Sequence, residues 1–167
     1  TENIFGFSTR KELDRGCFVK DGNIYIKDEE LIEICPLVDV KLKGEHNLSN
    51  VCSAFAACYL AGMSAIELKQ HIVSFKGVAQ RQELVATINE VEYYNDTAST
   101  SPESLIAAIN ALEENVILIA GGRNKDLDIS ELCPKIQSDV AELILIDSPF
   151  ANELKANFSE SYKLHTV

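Results

Sequence analysis

The amino-acid sequence predicts an α/β protein in which a parallel-rich sheet flanked by helices follows a shorter segment of strands and helices. Two apolar runs, residues 116–120 and 141–146, have the length of buried strands. Helical patterns precede and follow these runs, and such alternation is typical of a β-α-β succession with parallel strands. The chain has 167 residues, enough for one ordinary domain or for parts of two.

Composition and charge indicate a soluble, cytoplasmic protein. Apolar residues make up 46% of the chain and charged residues 25%, the balance of a globular protein. No run approaches the roughly 18 apolar residues that a membrane span needs. The net charge of −11 argues against a nucleic-acid surface, because phosphate binding needs clustered Lys and Arg. We therefore expect neither nucleic acid nor membrane as a partner.

The five cysteines are odd in number and form no CxxC pair, which favours a reducing compartment. Cys52 and Cys58 sit among apolar residues and are predicted to be small core residues. The three histidines are too scattered to predict a metal site. The chain begins at Thr1 without a basic, apolar leader and without Met, which favours a start inside a longer protein.

The first part of the chain, to about Lys76, combines β and helical signals. Residues 18–20 and 23–26 flank Asp21-Gly22, the pattern of a tight hairpin. A strand is predicted at residues 38–42. A helix over residues 48–61, apolar on nearly every side, is predicted to be buried.

Start and stop signals define the remaining elements. Gly62 is predicted to end the first helix, and Ser64 to Glu67 to open the next with a capping box. In the second part we predict a strand pair and three helices. The strands are residues 83–89 and 91–95. The first helix runs from Ser101-Pro102 to about Glu113. The second begins in the Asp128–Glu131 region, and the third covers about 150–155.

Polar residues that follow strands mark candidate ligand sites, because parallel sheets bind ligands at the carboxyl ends of their strands. Asn95-Asp96-Thr97 precedes a helix N-terminus that favours anions, and Asp96 is suited to a ribose; turn and cap chemistry is the alternative. Gly121-Gly122 admits close backbone approach, and Arg123 and Lys125 suit a carboxylate or phosphate; a loop with solvated cations is the alternative. No P-loop sequence occurs in the chain.

Four motifs follow one another in order. They are Gly-x-His-Asn-x-x-Asn at 44–50, Phe-x-Gly-x-x-x-Arg-x-Glu at 75–83, Asn-Asp-Thr-x-Ser-Thr-x-Pro-Glu at 95–103 and Gly-Gly-x-x-Lys-x-x-Asp at 121–128. This succession resembles the Mur ligases over nearly the whole chain, and the Asn-Asp-Thr form resembles their D-glutamate-adding branch.

The resemblance implies that residues 1–76 are the C-terminal part of a central ATP-binding domain and 77–167 a truncated Rossmann-like C-terminal domain. The implied reaction adds D-glutamate to UDP-N-acetylmuramoyl-L-alanine through an acyl phosphate, with ATP and Mg²⁺, in peptidoglycan precursor synthesis. The P-loop and metal ligands are expected before Thr1, and the last strand of the family after Val167. The fragment itself is therefore expected to be inactive.

Carried over by motif, the resemblance implies two groups of binding residues and no catalytic acid or base. ATP would be contacted by Asn47, Asn50, Arg81 and Asp96. The carboxylates of D-glutamate would be contacted by Thr100 and Lys125.

Three positions depart from the family pattern: Gln80 replaces a usual His, Ala98 a common Lys, and Arg123 a frequent Asp. The alternatives are a related amino-acid ligase of the folylpolyglutamate type and a non-catalytic Rossmann-like binding module. The plainest alternative is an α/β domain whose motifs are only caps and loops.

Overall fold

The fold is described from a computed structural model that covers residues 4–112, 115–123, 127–159 and 162–167. The chain divides into two compact units, the first ending at Glu83 and the second beginning at Leu84. Each unit has its own hydrophobic core.

The first unit is built on a four-stranded sheet. Strands β1 and β2 are parallel, and β2, β3 and β4 are successively antiparallel. The turn between β2 and β3 has Asp21 at φ 48° and Gly22 at φ 77°. Two consecutive positive φ angles match the twist of a two-residue hairpin, so the predicted hairpin is confirmed. The strands are β1 (Gly6–Ser8), β2 (Gly16–Lys20), β3 (Asn23–Lys27) and β4 (Leu31–Pro36).

The strand predicted at residues 38–42 is wrong. The chain forms a short 3-10 helix over Leu37–Asp39, and Val38 is 87% exposed. The last strand of the sheet is β4, whose Cys35 pairs with Ile24 of β3. Pro36 closes β4, because proline has no N–H to continue a ladder.

Two helices follow the sheet, α1 (Glu45–Leu60) and α2 (Ala65–Ser74). Helix α1 begins a few residues earlier than predicted, directly after Gly44. Its expected burial is confirmed for one face only. That face, which contains Cys52 and Phe55, is buried, whereas Leu60 is 58% exposed. The sheet of this unit covers one side of the helix through β1 and β2.

The turn between α1 and α2 has the capping chemistry that the sequence predicts. Gly62 adopts φ 97° at the end of α1, and the Met63 N–H donates to the Cys58 carbonyl over 3.1 Å. At the start of α2, the Glu67 N–H donates to the Ser64 hydroxyl, and the Ser64 N–H donates to the Glu67 carboxylate. The predicted capping box is therefore confirmed.

Three cysteines lie inside the core of the first unit. Cys17 of β2 and Cys52 of α1 are fully buried, and Cys35 of β4 is 1% exposed. A hydrogen bond with Cys52 and burial raise the pKa of the Cys17 thiol, and burial raises the pKa of Cys35 to about 11. All five cysteines are free thiols, and Cys58 is half-buried. The core role predicted for Cys52 is confirmed.

The second unit contains the predicted parallel sheet. Strands β7, β8 and β9 lie side by side in that order, and both pairings are parallel. A separate two-stranded sheet pairs β5 with β6. The strands are β5 (Glu83–Ile88), β6 (Val91–Asn95), β7 (Val116–Ala120), β8 (Val140–Leu145) and β9 (Leu164–Thr166).

Three helices accompany these strands: α3 (Pro102–Ala111), α4 (Leu132–Asp139) and α5 (Pro149–Lys155). The start of α3 is confirmed, since the Ser101 hydroxyl accepts the Ser104 N–H and Pro102 is the first helical residue. Its predicted end near Glu113 lies outside the described residues. Helix α4 begins at Leu132 with Glu131 as its N-cap, so the start predicted from the Asp128–Glu131 region is confirmed. No side chain caps it, and Asp128 instead accepts the Ser130 N–H in a turn.

Strand β7 was expected to be a buried strand, and only one of its faces is covered. Leu118 and Ala120 pack against the core of the second unit, whereas Ile117 is 59% and Ile119 63% exposed. Successive side chains of a strand point to opposite faces. The unbroken apolar run therefore predicted the length of the strand correctly, but it did not predict that one face of the strand is exposed.

Candidate functional site

The carboxyl end of β7 is held tightly against the segment that follows β8. The Ile146 N–H donates to the Ala120 carbonyl over 2.9 Å, and the Gly122 N–H donates to the Ser148 hydroxyl over 3.1 Å. A Cβ atom on Gly121 would lie 2.9 Å from the Ile146 Cβ. Glycine is therefore needed at 121 for this close approach.

Ser148 organises this edge of the sheet, and the sequence reasoning did not single it out. Its hydroxyl donates to the Ile146 carbonyl, accepts the Gly122 N–H and accepts the Ala151 N–H at the start of α5. Ser148-Pro149 before a helix is a cap followed by proline at the first turn, and that pattern was the available signal.

The loop between β6 and α3 is a chain of local polar contacts. The Asp96 carboxylate accepts the Ser99 hydroxyl over 2.6 Å, and the Asp96 carbonyl accepts the Ser99 N–H over 2.9 Å. The Asn95 side-chain oxygen accepts the Thr97 N–H and hydroxyl. These contacts hold the loop that carries Asp96 in place. They are the local turn contacts that the sequence offered as the alternative to ligand binding, and they are compatible with either interpretation.

Thr100 is exposed directly before the cap of α3. A hydrogen bond with Ser101 lowers the pKa of Glu103 in the first turn. Asp96 and Thr100, which belong to one motif in the sequence, thus lie on one short loop of the second unit. Lys125, the other residue implied for amino-acid binding, lies outside the described residues.

The candidate residues of the first unit cluster at the start of α1 and the turn before β5. The Asn47 amide donates to the Lys43 carbonyl over 2.8 Å and to the Gln82 side-chain oxygen over 3.4 Å. Asn50, one helical turn further on, is exposed. Asn47 therefore links α1 to the segment that carries Arg81.

Arg81 lies in a tight turn with unusual backbone geometry. Gln80 has φ 64° and Gln82 has φ 43°, on either side of the arginine. The Arg81 N–H donates to the Val78 carbonyl, and the Gln80 N–H donates to the Glu83 carboxylate over 2.8 Å. The turn fixes the backbone of Arg81 and leaves its side chain exposed.

Two absences apply to the described part of the chain. Among the described residues, no group of three or more His, Cys, Asp or Glu side chains is placed to hold a metal ion. Within the same part of the chain, the helices are too short or too polar to cross a membrane.

Known proteins are similar to this chain in sequence. The chain is 35% identical over 159 residues to UDP-N-acetylmuramoylalanine–D-glutamate ligase from Caldanaerobacter subterraneus, covering 95% of this chain and 35% of that protein. It is 40% identical over 144 residues to the ligase of the same name from Thermoanaerobacter sp., covering 86% of this chain and 32% of that protein. The chain thus spans about a third of the length of these relatives. No family model matches the sequence.

Solved structures show the same fold at low identity. UDP-N-acetylmuramate–alanine ligase from Thermotoga maritima superposes with a TM-score of 0.66 at 13% identity, covering 96% of this chain and 38% of that one. Folylpolyglutamate synthase from the same organism gives 0.62 at 15% identity, covering 87% and 36%. A third Thermotoga maritima ligase, solved in complex with ADP, gives 0.60 at 15% identity, covering 91% and 36%. The predicted α/β class with a Rossmann-like parallel sheet is therefore confirmed.

Proposed function

We propose, on the premise that this chain is a homologue of the D-glutamate-adding Mur ligases, that it is part of an ATP-dependent ligase that joins D-glutamate to UDP-N-acetylmuramoyl-L-alanine. One observation carries the proposal. Relatives of that name match most of the chain at 35% to 40% identity. The folylpolyglutamate alternative is supported only by a shared fold at 15% identity.

The reaction proceeds in two steps. The carboxylate of the UDP-sugar substrate attacks the γ-phosphorus of ATP, which gives an acyl phosphate and ADP. The amine of D-glutamate then attacks the acyl carbon, loses a proton, and phosphate leaves from the tetrahedral intermediate. Positioning and charge stabilisation supply most of the rate enhancement in such chemistry. The residues of this chain therefore bind and orient, and none is assigned as a general acid or base.

ATP is assigned to four residues. Asn50, exposed on α1, contacts the adenine side, with Asn47 beside it on the same helix. Arg81 reaches the phosphates, as suits a guanidinium with several N–H donors in a fixed fork. Asp96 holds the ribose hydroxyls by accepting their hydrogen bonds.

D-glutamate is assigned to the second unit. Thr100, exposed before α3, donates its hydroxyl to one carboxylate. Lys125 supplies a cation to the same substrate. Both belong to segments that follow strands, where α/β sheets place ligands.

The domain boundary is proposed at Lys76–Gly77, with residues 1–76 ending the central ATP-binding domain and 77–167 beginning the C-terminal domain. Gly77 has φ 93°, and a Cβ there would lie 3.3 Å from a Leu42 methyl carbon. A glycine at such a position suits a hinge that absorbs backbone rotation when the domains close around substrates. The whole protein is proposed to work in the cytoplasm.

Magnesium accompanies ATP in ligases of this kind, and its ligands are proposed to lie outside this chain. No cluster of three or more carboxylates, imidazoles or thiols occurs among the described residues. We therefore assign no step to a metal through these residues. The 167-residue chain by itself is expected not to hydrolyse ATP.

The test is phosphate release by the protein encoded by the complete reading frame that contains this chain. With ATP and UDP-N-acetylmuramoyl-L-alanine present, release is expected on addition of D-glutamate and not of L-glutamate or L-lysine. The 167-residue chain serves as the control and should release no phosphate. Release with a different amino acid would retain a ligase and discard the D-glutamate branch. No release with any amino acid would contradict the proposed function.

A further inference from the structure

Arg81 ends a β-turn that has glutamine at a position suited to glycine. The Arg81 N–H donates to the Val78 carbonyl over 3.1 Å, which closes a turn from Val78 to Arg81 with Gln80 at its third position. Gln80 has φ 64°, the sign that this position of a type II turn requires and that glycine adopts without cost. Among the other residues, Asn, Asp and His adopt positive φ more readily. The backbone of Gln80 is therefore strained, and surrounding contacts have to hold it.

The Glu83 carboxylate supplies one of these contacts. It accepts the Gln80 N–H over 2.8 Å, the distance of a good hydrogen bond. Glu83 is half-buried and is the first residue of β5, so its side chain reaches back past Arg81 to the strained residue. The contact holds the peptide group through which the chain enters Gln80, directly before Arg81.

A second contact lies on the other side of Arg81. Gln82 also has a positive φ, 43°, and its side-chain oxygen accepts the Asn47 amide over 3.4 Å. Asn47 belongs to α1, the helix on which Asn50 is exposed. The turn is thus tied to the helix that carries the other ATP contacts proposed for the first unit, and Arg81 lies exposed between the two ties.

We propose that Glu83 is a positioning residue, which holds the strained turn at Gln80 and thereby directs the Arg81 guanidinium at the phosphates of ATP. The inference rests on the proposed function, in which Arg81 contacts those phosphates. Glu83 acts through the backbone, and it neither contacts the substrate nor transfers a proton. The turn requires an oxygen that accepts the Gln80 N–H, and it does not require the negative charge of the carboxylate.

The experiment measures phosphate release by the enzyme from the complete reading frame, at saturating ATP and D-glutamate. Glu83→Ala is expected to lower kcat by about 10-fold or more, because a small displacement of an orienting group has an effect of that order. Glu83→Gln keeps an acceptor oxygen at the same place, so it should return kcat to within about 3-fold of the unaltered enzyme.

A double-mutant cycle tests whether Glu83 acts through Arg81. Residues that act as a unit have non-additive effects on the rate. In the Arg81→Ala background, Glu83→Ala should therefore lower kcat by less than about 2-fold. A further loss as large as the one in the unaltered background would mean that Glu83 acts elsewhere, and it would overturn the inference.

Glu67→Ala is the matched control. The Glu67 carboxylate accepts the N–H of Ser64, three positions earlier, over 2.8 Å, which is the same contact that Glu83 makes with Gln80. It caps α2, a helix to which no ATP or amino-acid contact is assigned. Its removal should lower the midpoint of thermal unfolding and leave kcat unchanged. A loss of kcat equal to that of Glu83→Ala would mean that lost stability explains both variants, and the inference would be wrong.

The failures are distinguishable. If the unaltered enzyme shows no phosphate release that depends on D-glutamate, the proposed function is wrong and the inference falls with it. If the unaltered enzyme is active and Arg81→Ala is equally fast, the assignment of Arg81 is wrong and the inference falls again. If Arg81→Ala is slow but Glu83→Ala is not, or if Glu83→Gln is as slow as Glu83→Ala, only the inference is overturned.

Discussion

Replacing Gly16 with alanine is expected to destabilise the first unit by about 3 kcal/mol or more. Gly16 has φ 143°, and a Cβ there would lie 2.2 Å from the Gly6 carbonyl oxygen. Gly6 and Gly16 are partners in the parallel pairing of β1 with β2, so the strands would have to separate. Backbone strain of about 1–3 kcal/mol adds to an overpacking cost of about 1–3 kcal/mol. In a unit of this size, the midpoint of thermal unfolding should fall by roughly 12–24 °C.

Gly22→Ala separates the clash from the backbone strain. Gly22 also has a positive φ, 77°, but a Cβ there meets no atom within 4 Å. Its replacement should cost only about 1–2 kcal/mol, the strain alone. Calorimetry or circular dichroism of the two variants measures the difference. Equal destabilisation by both would mean that the close contact between β1 and β2 is not present in solution.

Arg81→Ala is expected to lower kcat of the enzyme from the complete reading frame by about 100-fold or more. The removal of one preorganised donor from a developing negative charge typically costs that much. Arg81 is exposed in a turn whose neighbours Gln80 and Gln82 have positive φ angles, so its removal should leave the fold intact. Phosphate release at saturating D-glutamate measures the effect, and thermal unfolding checks the fold.

Lys20→Ala provides the comparison. Lys20 ends β2 and forms a 2.8 Å ion pair with Glu12, outside the proposed ATP contacts. An exposed pair of this kind contributes little, and turnover should be unchanged. If Arg81→Ala turned over as fast as Lys20→Ala, the assignment of Arg81 to the phosphates would be wrong.

Local signals in the sequence located most of the helices and strands. Positions where one residue type satisfies one backbone requirement were reliable: Gly22 and Gly62 at positive φ, and Ser64 and Ser101 at helix starts. These signals act over a few residues and need no knowledge of tertiary packing. The parallel pairing of β7 with β8 followed from the alternation of strand and helix alone, whereas β9 was not predicted.

Errors arose where packing decides the outcome. Residues 38–42 alternate like a strand, but Pro36 ends β4 and the following turn leaves Val38 87% exposed. The apolar character of α1 and β7 correctly indicated core elements, yet Leu60 and Ile119 are 58% and 63% exposed. The hydrophobicity of a side chain indicates that its burial is favourable, whereas its actual burial also depends on which neighbouring elements cover it.

The candidate site was predicted from the order of four motifs and not from any single residue. Asp96 and Thr100 share a loop, and Asn47 contacts Gln82 beside Arg81, so the structure brings together residues within each motif group. Ser148 was missed because its role joins segments separated by 26 residues, from the Gly-Gly segment to the start of α5. Such a contact leaves no local pattern beyond the cap itself.

The buried thiols give each unit its own chemical reporter. Cys17, Cys35 and Cys52 are enclosed in the first unit, whereas Cys133 of the second unit is 7% exposed and its pKa is raised by burial. A maleimide or disulfide reagent attacks thiolates, so it reaches these sulfurs only when the surrounding unit opens. Mass spectrometry of peptides labelled over time therefore follows the opening of the two units separately, without any engineered cysteine.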